Sequence, residues 1–282
     1  MRKTKEFIGF GVLKSAAVIV LLALFAILYF VAARGIKVIN WEFLTQMPRS
    51  GMTAGGILPA ILGTFYLTIC AICFALPLGV AAAIYLTEYA KQGRLVRIIR
   101  IGINNLAGVP SVVFGLFGLA VFVKFCGFGI SILSGGLTLG ILILPTIIRA
   151  SEEALMVVPR SFREASLALG ATKWQTISKV VLPNAVSGML TGSILGIGRA
   201  AGETAPILFT AVTFYSARLP RSVFSEVQAL PYHIYALMTE GTHPEAQIPI
   251  AYGAALVLVS LVLGIDLIAI IIRNRFRRRK KW

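Results

Sequence analysis

The sequence predicts an all-α membrane protein with six transmembrane helices, and three observations carry that prediction. Of the 282 residues, 57% are hydrophobic and only 13% charged, a composition that suits bilayer spans rather than a water-facing domain. The apolar residues gather into six runs, each near or above the roughly 20 residues that cross a hydrocarbon core as a helix. The basic residues avoid those runs and collect in alternate connections. The N-terminus, residues 88–100, residues 149–184 and the C-terminal tail hold twenty Lys and Arg; the opposite connections hold six, and Arg199 inside a span completes the 27. By the positive-inside rule, both termini and the 149–184 insert are expected in the cytoplasm. The same placement assigns the net charge of +16 to orientation in the membrane, and no nucleic-acid partner is expected.

The first span is expected over about 16–33, too long for a signal peptide. A connection over 34–55 follows, with Trp41 and Phe43 as interface anchors. The second span covers about 57–86, with Pro77 as the expected kink. A third span is expected over 101–125, and a tight turn at 126–129 leads to a fourth over 130–148. A fifth occupies about 185–214, a polar loop 215–247, and a sixth span 248–272. Cys70, Cys73 and Cys126 lie in or beside apolar spans and read as small packing residues. His233 and His243 are too few for a metal site and fall in the polar loop, so no metal or disulfide is expected. The basic run Arg277 to Lys281 follows the last span and reads as an orientation signal, with lipid or RNA binding as the alternative.

The insert between spans four and five organises the chain. Ser161 with Glu164, and Thr172 with Gln175, each have the spacing of a capping box, in which the side chains satisfy each other's free backbone amides. Gly170 sits between them, where a left-handed residue closes a helix. The expected structure is helix, glycine turn, helix, then Pro183 opening a new segment. Helices this short are marginal alone, so a docking partner is implied.

The fifth span carries charge. Gly188, Gly192, Gly196 and Ala200 form the small-residue ridge that lets another helix approach closely. On a helical wheel Arg199 and Glu203 lie on the same side as that ridge, while Leu190, Ile194, Ile197 and Leu208 fall opposite and are expected to face lipid. Pro206 cannot donate to the carbonyl of Gly202 and is expected to loosen the helix beside the charges. A charge in mid-membrane costs at least about 2.5–3.5 kcal/mol, so two of them call for a partner or a role. One reading is a neutralising pair that fixes packing; the other is a substrate path in which Arg199 attracts an anion and Glu203 orients it. Asp266, in the last span, is expected to pair with the basic tail or to cap locally.

Two stretches carry a family resemblance. Glu164-Ala165-Ser166, Gly170 and Val180-Val181-Leu182-Pro183 resemble the EAA signature of ABC-importer permeases, with serine for the second alanine and valine for isoleucine. Gly198-Arg199-Ala200-Ala201-Gly202-Glu203-Thr204-Ala205-Pro206 resembles the corresponding stretch of phosphate-specific (Pst) importer permeases, and its Ala205-Pro206 ending resembles the PstA-type subunit. Asn105 to Ser111, Phe114 to Gly118, and Ile84 to Tyr89 are similar to the same subunit.

The resemblance implies a type I ABC importer permease, with a five-helix core over 57–273 that contains the EAA loop 161–183. Residues 1–56 would be an N-terminal stub, first helix and external segment, and 274–282 a basic tail. It implies that Glu164, Ala165, Ser166, Gly170, Leu182 and Pro183 couple to an ATPase, and that the substrate is inorganic phosphate. It also implies a cytoplasmic (inner) membrane location and several partners: a second, PstC-type permease, two PstB-type ATPase subunits, an external PstS-type phosphate-binding protein, and membrane lipid.

The sequence has no G-x4-G-K-[ST] loop, so this chain is expected not to be an enzyme. It would bind no cofactor itself, ATP and Mg²⁺ belonging to the ATPase. The competing readings are a permease for another oxyanion, a proton-coupled secondary transporter using Arg199 and Glu203, and a non-transporting membrane scaffold. The secondary transporter leaves the capped insert without a purpose.

Overall fold

The computed structural model describes residues 2–91, 93–215 and 219–278. Helix α1 (Arg2–Gly35) leads to a short connecting segment. There α2 (Trp41–Thr45) is capped by Asn40, whose Oδ1 accepts the Phe43 N–H at 2.7 Å. A two-residue antiparallel ladder pairs β1 (Pro48–Arg49) with β2 (Ala54–Gly55). Helix α3 (Leu58–Ile84) continues through Pro77 without interruption and ends in a π-turn at Tyr85–Tyr89.

The third crossing is not the straight helix expected. Helix α4 (Arg94–Leu106) and α5 (Ser111–Gly118), extended by a π-turn to Phe125, meet at 102°. The break falls at Ala107-Gly108-Val109-Pro110. Pro110 sits at the cap of α5 with φ −56° and ψ 138°, and a residue preceding proline is driven out of the helical region. The two halves therefore cannot both lie along one crossing direction.

Helix α6 (Ile132–Val157) runs nine residues past the expected end of the fourth span. The insert contains α7 (Arg160–Ala168) and α8 (Lys173–Thr176), and α8 passes through a π-turn at Ile177–Val181 into α9 (Leu182–Gly202). Pro183 does not open a new segment. The Leu182 N–H reaches back to Ile177 O, five residues away, and this wider turn accommodates the donor that proline lacks. One rod thus joins the insert to the fifth span, over Lys173–Gly202.

The fifth span ends at Gly202, not near residue 214. Glu203 is extended (φ −74°, ψ 133°), and a short helix α10 (Ala205–Leu208) follows. Pro206 lies in the first turn of α10, so it marks a restart rather than a loosened interior. The connection expected to be a polar loop contains α11 (Leu230–Thr239), whose Leu230 N–H donates to Thr64 Oγ1 at 2.8 Å. Helix α12 (Pro244–Arg278) is the last span and carries the first part of the basic tail as helix. Residues 279–282 of the expected tail lie outside the described residues.

Among the described residues, five helices are long and apolar enough to cross a bilayer, or six if the bent α4–α5 pair counts as one span. The core sits around α6. Leu139, Leu142, Ile143 and Ile147 are at most 1% exposed, packed with Leu67 and Ala71 of α3 and Ile207 of α10. Small residues set the spacing: a methyl on Gly136 would meet Cys70, and one on Gly192 would collide with Ala150. Phe43 of the connecting segment packs with Ile57, Leu230 and Ala254, which fastens α2 to the start of α3 and to α11 and α12.

Candidate functional site

The insert presents a helix-turn-helix at the end of the spans. Gly170 adopts φ +83°, as its place between two helices requires. The Gly170 and Ala171 N–H groups donate to Leu167 O and Ser166 O, closing α7. The Thr172–Gln175 capping box is present in both directions, at 2.8 and 3.2 Å.

The Ser161–Glu164 box is not formed. Pro159 occupies the cap of α7, and Ser161 lies inside the first turn with no capping bond. The Val158–Pro159 step is fixed in extended geometry (ψ 124° and 141°), so the helix begins two residues earlier than the serine signal suggests. Ser166 has another use: its Oγ lies 2.9 Å from Thr176 Oγ1 and ties α7 to the start of the rod. Glu164 and Ala165 are exposed, Leu182 is half-buried and Pro183 exposed.

Arg163 gives the short helices of the insert an anchor within the chain itself. Its Nη2 lies 2.6 Å from Glu88 Oε1, at the end of α3. Its other donors reach the carbonyls of Val158 at 2.7 Å and Leu155 at 2.9 Å, the frayed end of α6. A guanidinium suits this place because its fixed fork can serve a carboxylate and two carbonyls at once. Beside it Arg100 of α4 pairs with Glu152 of α6 at 3.1 Å, and Lys173 Nζ stands 4.9 Å above the Tyr89 ring. A cleft of about 590 Å³ opens between these elements, lined by Glu88, Arg100, Arg160, Arg163 and Glu164 among others.

The outer surface of the insert is apolar where water would favour polar side chains. Leu169 is 89% exposed and Trp174 63%, with Leu167 nearby at 49%. Exposed apolar groups clustered on a polar connection mark an interaction surface.

The second site lies on α9. Gly188 and Gly192 pack against Ala154 and Ala150 of α6, as the small-residue ridge predicts. The opposite face is only partly open as expected: Leu208 is 36% exposed and Leu190 and Ile197 are half-buried, but Ile194 is 7% exposed. Helix α12 packs on the flank of that face, with Asp266 against Gly198 and Arg273 reaching Thr191.

Arg199 Nε donates to Glu203 Oε1 at 3.1 Å across the broken end of α9. The two share a side as the helical wheel expected, although Glu203 has left the helix. Asp266 faces α9 at Gly198, and its buried Oδ1 has no hydrogen-bond partner among the described residues. Helix α12 antiparallel to α9 brings it level with Gly198, a pairing for which the sequence carries no local signal.

The comparisons with known proteins agree with this architecture. Residues 75–282 match the family described as "binding-protein-dependent transport system inner membrane component". The chain is 33% identical over 279 residues to the probable ABC transporter permease protein YqgI of Bacillus subtilis, covering 95% of each chain. It is 37% identical over 286 residues to the phosphate transport system permease protein PstA 1 of Mycobacterium tuberculosis, covering 99% of this chain and 91% of the relative.

In fold it is similar to a chain of the inward-facing MetNI methionine ABC transporter, with TM-score 0.63, 19% identity, and coverage of 78% of this chain and 97% of that one. It is also similar to a chain of a bacterial ABC transporter that imports the acidic polysaccharide alginate, with TM-score 0.64, 17% identity and 96% coverage of both. This chain is a multi-pass membrane protein with the fold of type I ABC importer permeases, and it belongs to the family of binding-protein-dependent transport system inner membrane components.

Proposed function

We propose that this chain is the PstA-type permease subunit of an ATP-driven importer, moving inorganic phosphate across the cytoplasmic membrane by alternating access. The observation that carries the reading is the Arg199–Glu203 pair at the broken end of α9. The pair uses one guanidinium nitrogen, and the side chain of Arg199 is 38% exposed. No other bond of that guanidinium is found among the described residues, which leaves its terminal nitrogens available for the bidentate contact that suits a phosphate oxyanion. The names of several relatives as phosphate transport permeases support the same substrate.

The insert is the lever. ATP binding on two separate ATPase subunits would move Leu169 and Trp174 with the surface they dock on. The rod from Lys173 would carry that motion to Arg199, about 39 Å away at 1.5 Å per residue. ATP drives the cycle only through different affinities for the two access states. A second permease subunit completes the path, an external phosphate-binding protein delivers the substrate, and ATP with Mg²⁺ stays on the ATPase. Glu164, Ala165, Ser166, Gly170, Leu182 and Pro183 form or support the coupling surface, in which both termini are cytoplasmic.

The test is uptake of labelled phosphate by the reconstituted complex, with sulfate and molybdate as competitors. Binding-protein-stimulated ATP hydrolysis accompanied by phosphate uptake supports the reading. ATP hydrolysis coupled to another oxyanion contradicts the substrate, and absence of any coupled transport contradicts the class.

A further inference from the structure

Helix α4 is barely packed. Only Val96 is buried along Arg94–Leu106. Leu95 is 72% exposed and Ile98 65%, with Ile99 and Leu106 also open. At about 100° per residue these four fall within one sector of roughly 100°, and Arg94, Arg97 and Arg100 fall on the other side, beyond the packed edge of Val96 and Ile103, with Ile101 (49% exposed) the one apolar side chain among them. Arg100 is paired with Glu152, whereas Arg94 and Arg97 are exposed and make no hydrogen bond or ion pair among the described residues.

The 102° bend fixes the direction of this helix. If the apolar 111–125 half follows the membrane normal, α4 lies close to the membrane plane, at the end of the crossing where the basic 88–100 connection sits. A helix in that plane, with an apolar sector to one side and arginines to the other, has the architecture of an interfacial helix. The basic sector selects the occupant: anionic headgroups complement it, and a neutral bilayer does not.

We propose that α4 is an in-plane membrane-surface helix whose Arg94 and Arg97 bind anionic phospholipid headgroups, while Leu95, Ile98 and Ile99 enter the acyl boundary. Placement of the headgroups in the cytoplasmic leaflet rests on the orientation given under the proposed function; the lipid contact does not. Held in this way, α4 anchors the cytoplasmic end of α6 to the bilayer surface through the Arg100–Glu152 pair.

The experiment uses the full chain with its three native cysteines replaced by alanine and a single fluorophore on Leu95→Cys, in vesicles of otherwise identical composition. The quenchers are phosphatidylglycerol and phosphatidylcholine spin-labelled near the headgroup, at equal mole fraction. Both lipids should quench, and phosphatidylglycerol by about twofold or more, since each arginine near the surface enriches an anionic lipid by up to about fivefold. High salt, and separately Arg94→Gln with Arg97→Gln, should remove the excess while leaving quenching by phosphatidylcholine unchanged.

Arg94→Lys with Arg97→Lys should keep it, and salt removes it without any substitution, so a misfolded variant cannot decide the outcome. Equal quenching by the two lipids, an excess that survives both salt and the glutamine variant, or no quenching by either because protein covers the face, each overturns the proposal. The readout involves no transport, so it stands or falls apart from the importer reading.

Discussion

Arg163 and Glu88 are 75 positions apart in sequence and 2.6 Å apart in space, and this ion pair joins the coupling insert to the end of the second span. The pair is half-buried to buried, with side chains 19% and 9% exposed, and Arg163 also holds the carbonyls of Leu155 and Val158. The arginine therefore serves two spans at once, which sets what substitutions at each position should do.

Arg163→Ala should loosen α7 and strand Glu88, at a cost of about 1–3 kcal/mol, and should lower ATP-coupled transport more than membrane insertion. The exchange Arg163→Glu with Glu88→Arg should not rescue it, because a carboxylate at 163 would face the two carbonyls. Transport and complex yield measured together check this. Full rescue by the exchange would mean that the pair acts only through its charge.

Gly170→Val should impair docking of the ATPase. A methyl at Gly170 meets nothing within 4 Å, so the penalty is conformational, about 1–3 kcal/mol for a branched residue held at φ +83°. Co-purification with the ATPase should fall while the amount of chain in the membrane is unchanged; a normally coupled complex would show that the turn tolerates other backbone geometry.

Orientation and docking can be read from one residue. With the native cysteines removed, Leu169→Cys should react only with reagent on the cytoplasmic side and should become protected when the ATPase is bound. A cysteine at the exposed Arg221 should react only from outside. Labelling of both from one side would refute the arrangement of spans.

Burial lowers the pKa of His233 to about 4 from 6.5, and neither ring nitrogen has a hydrogen-bond partner among the described residues. The folded protein thus favours the neutral ring. Its contribution is complete above pH 6.5 and declines as pH falls from there toward 4, by up to about 3 kcal/mol. The thermal midpoint of the chain should drop between pH 7 and pH 5, and His233→Phe should flatten that slope; an unchanged slope would place the titration elsewhere.

The parts of this fold legible in the sequence are those that local chemistry decides. Gly170 has no competitor for the left-handed turn, and Thr172–Gln175 satisfies its own backbone, so both formed as expected. The small-residue ridge on α9 found α6 because close approach demands small side chains on the contact face. What was illegible depends on partners distant in the chain. The Ser161 box lost to the preceding Val158–Pro159 step, and Ile194, expected to face lipid, is buried.

The bend in the third crossing was marked by Gly108 and Pro110, yet the largely apolar composition of 101–125 outweighed them. Arg163 and Glu88 gave no signal of pairing, since each looks like an ordinary residue of a basic connection. Glu203 was placed on the right side for a reason that failed, as the helix ends one residue before it.

The central claim is that Arg199 contacts the transported anion, and the double variant Arg199→Leu with Glu203→Leu tests it most directly. Removing both charges avoids stranding either one in a low-dielectric site, so the complex should assemble at normal yield. Loss of a charged contact worth about 1.5–3 kcal/mol corresponds to roughly a ten- to hundredfold fall in transport. Labelled phosphate uptake is measured at saturating external phosphate, alongside complex yield. Normal yield with uptake reduced on that scale is the predicted result; near-normal uptake by the assembled double variant would contradict it and leave Arg199 and Glu203 as packing residues.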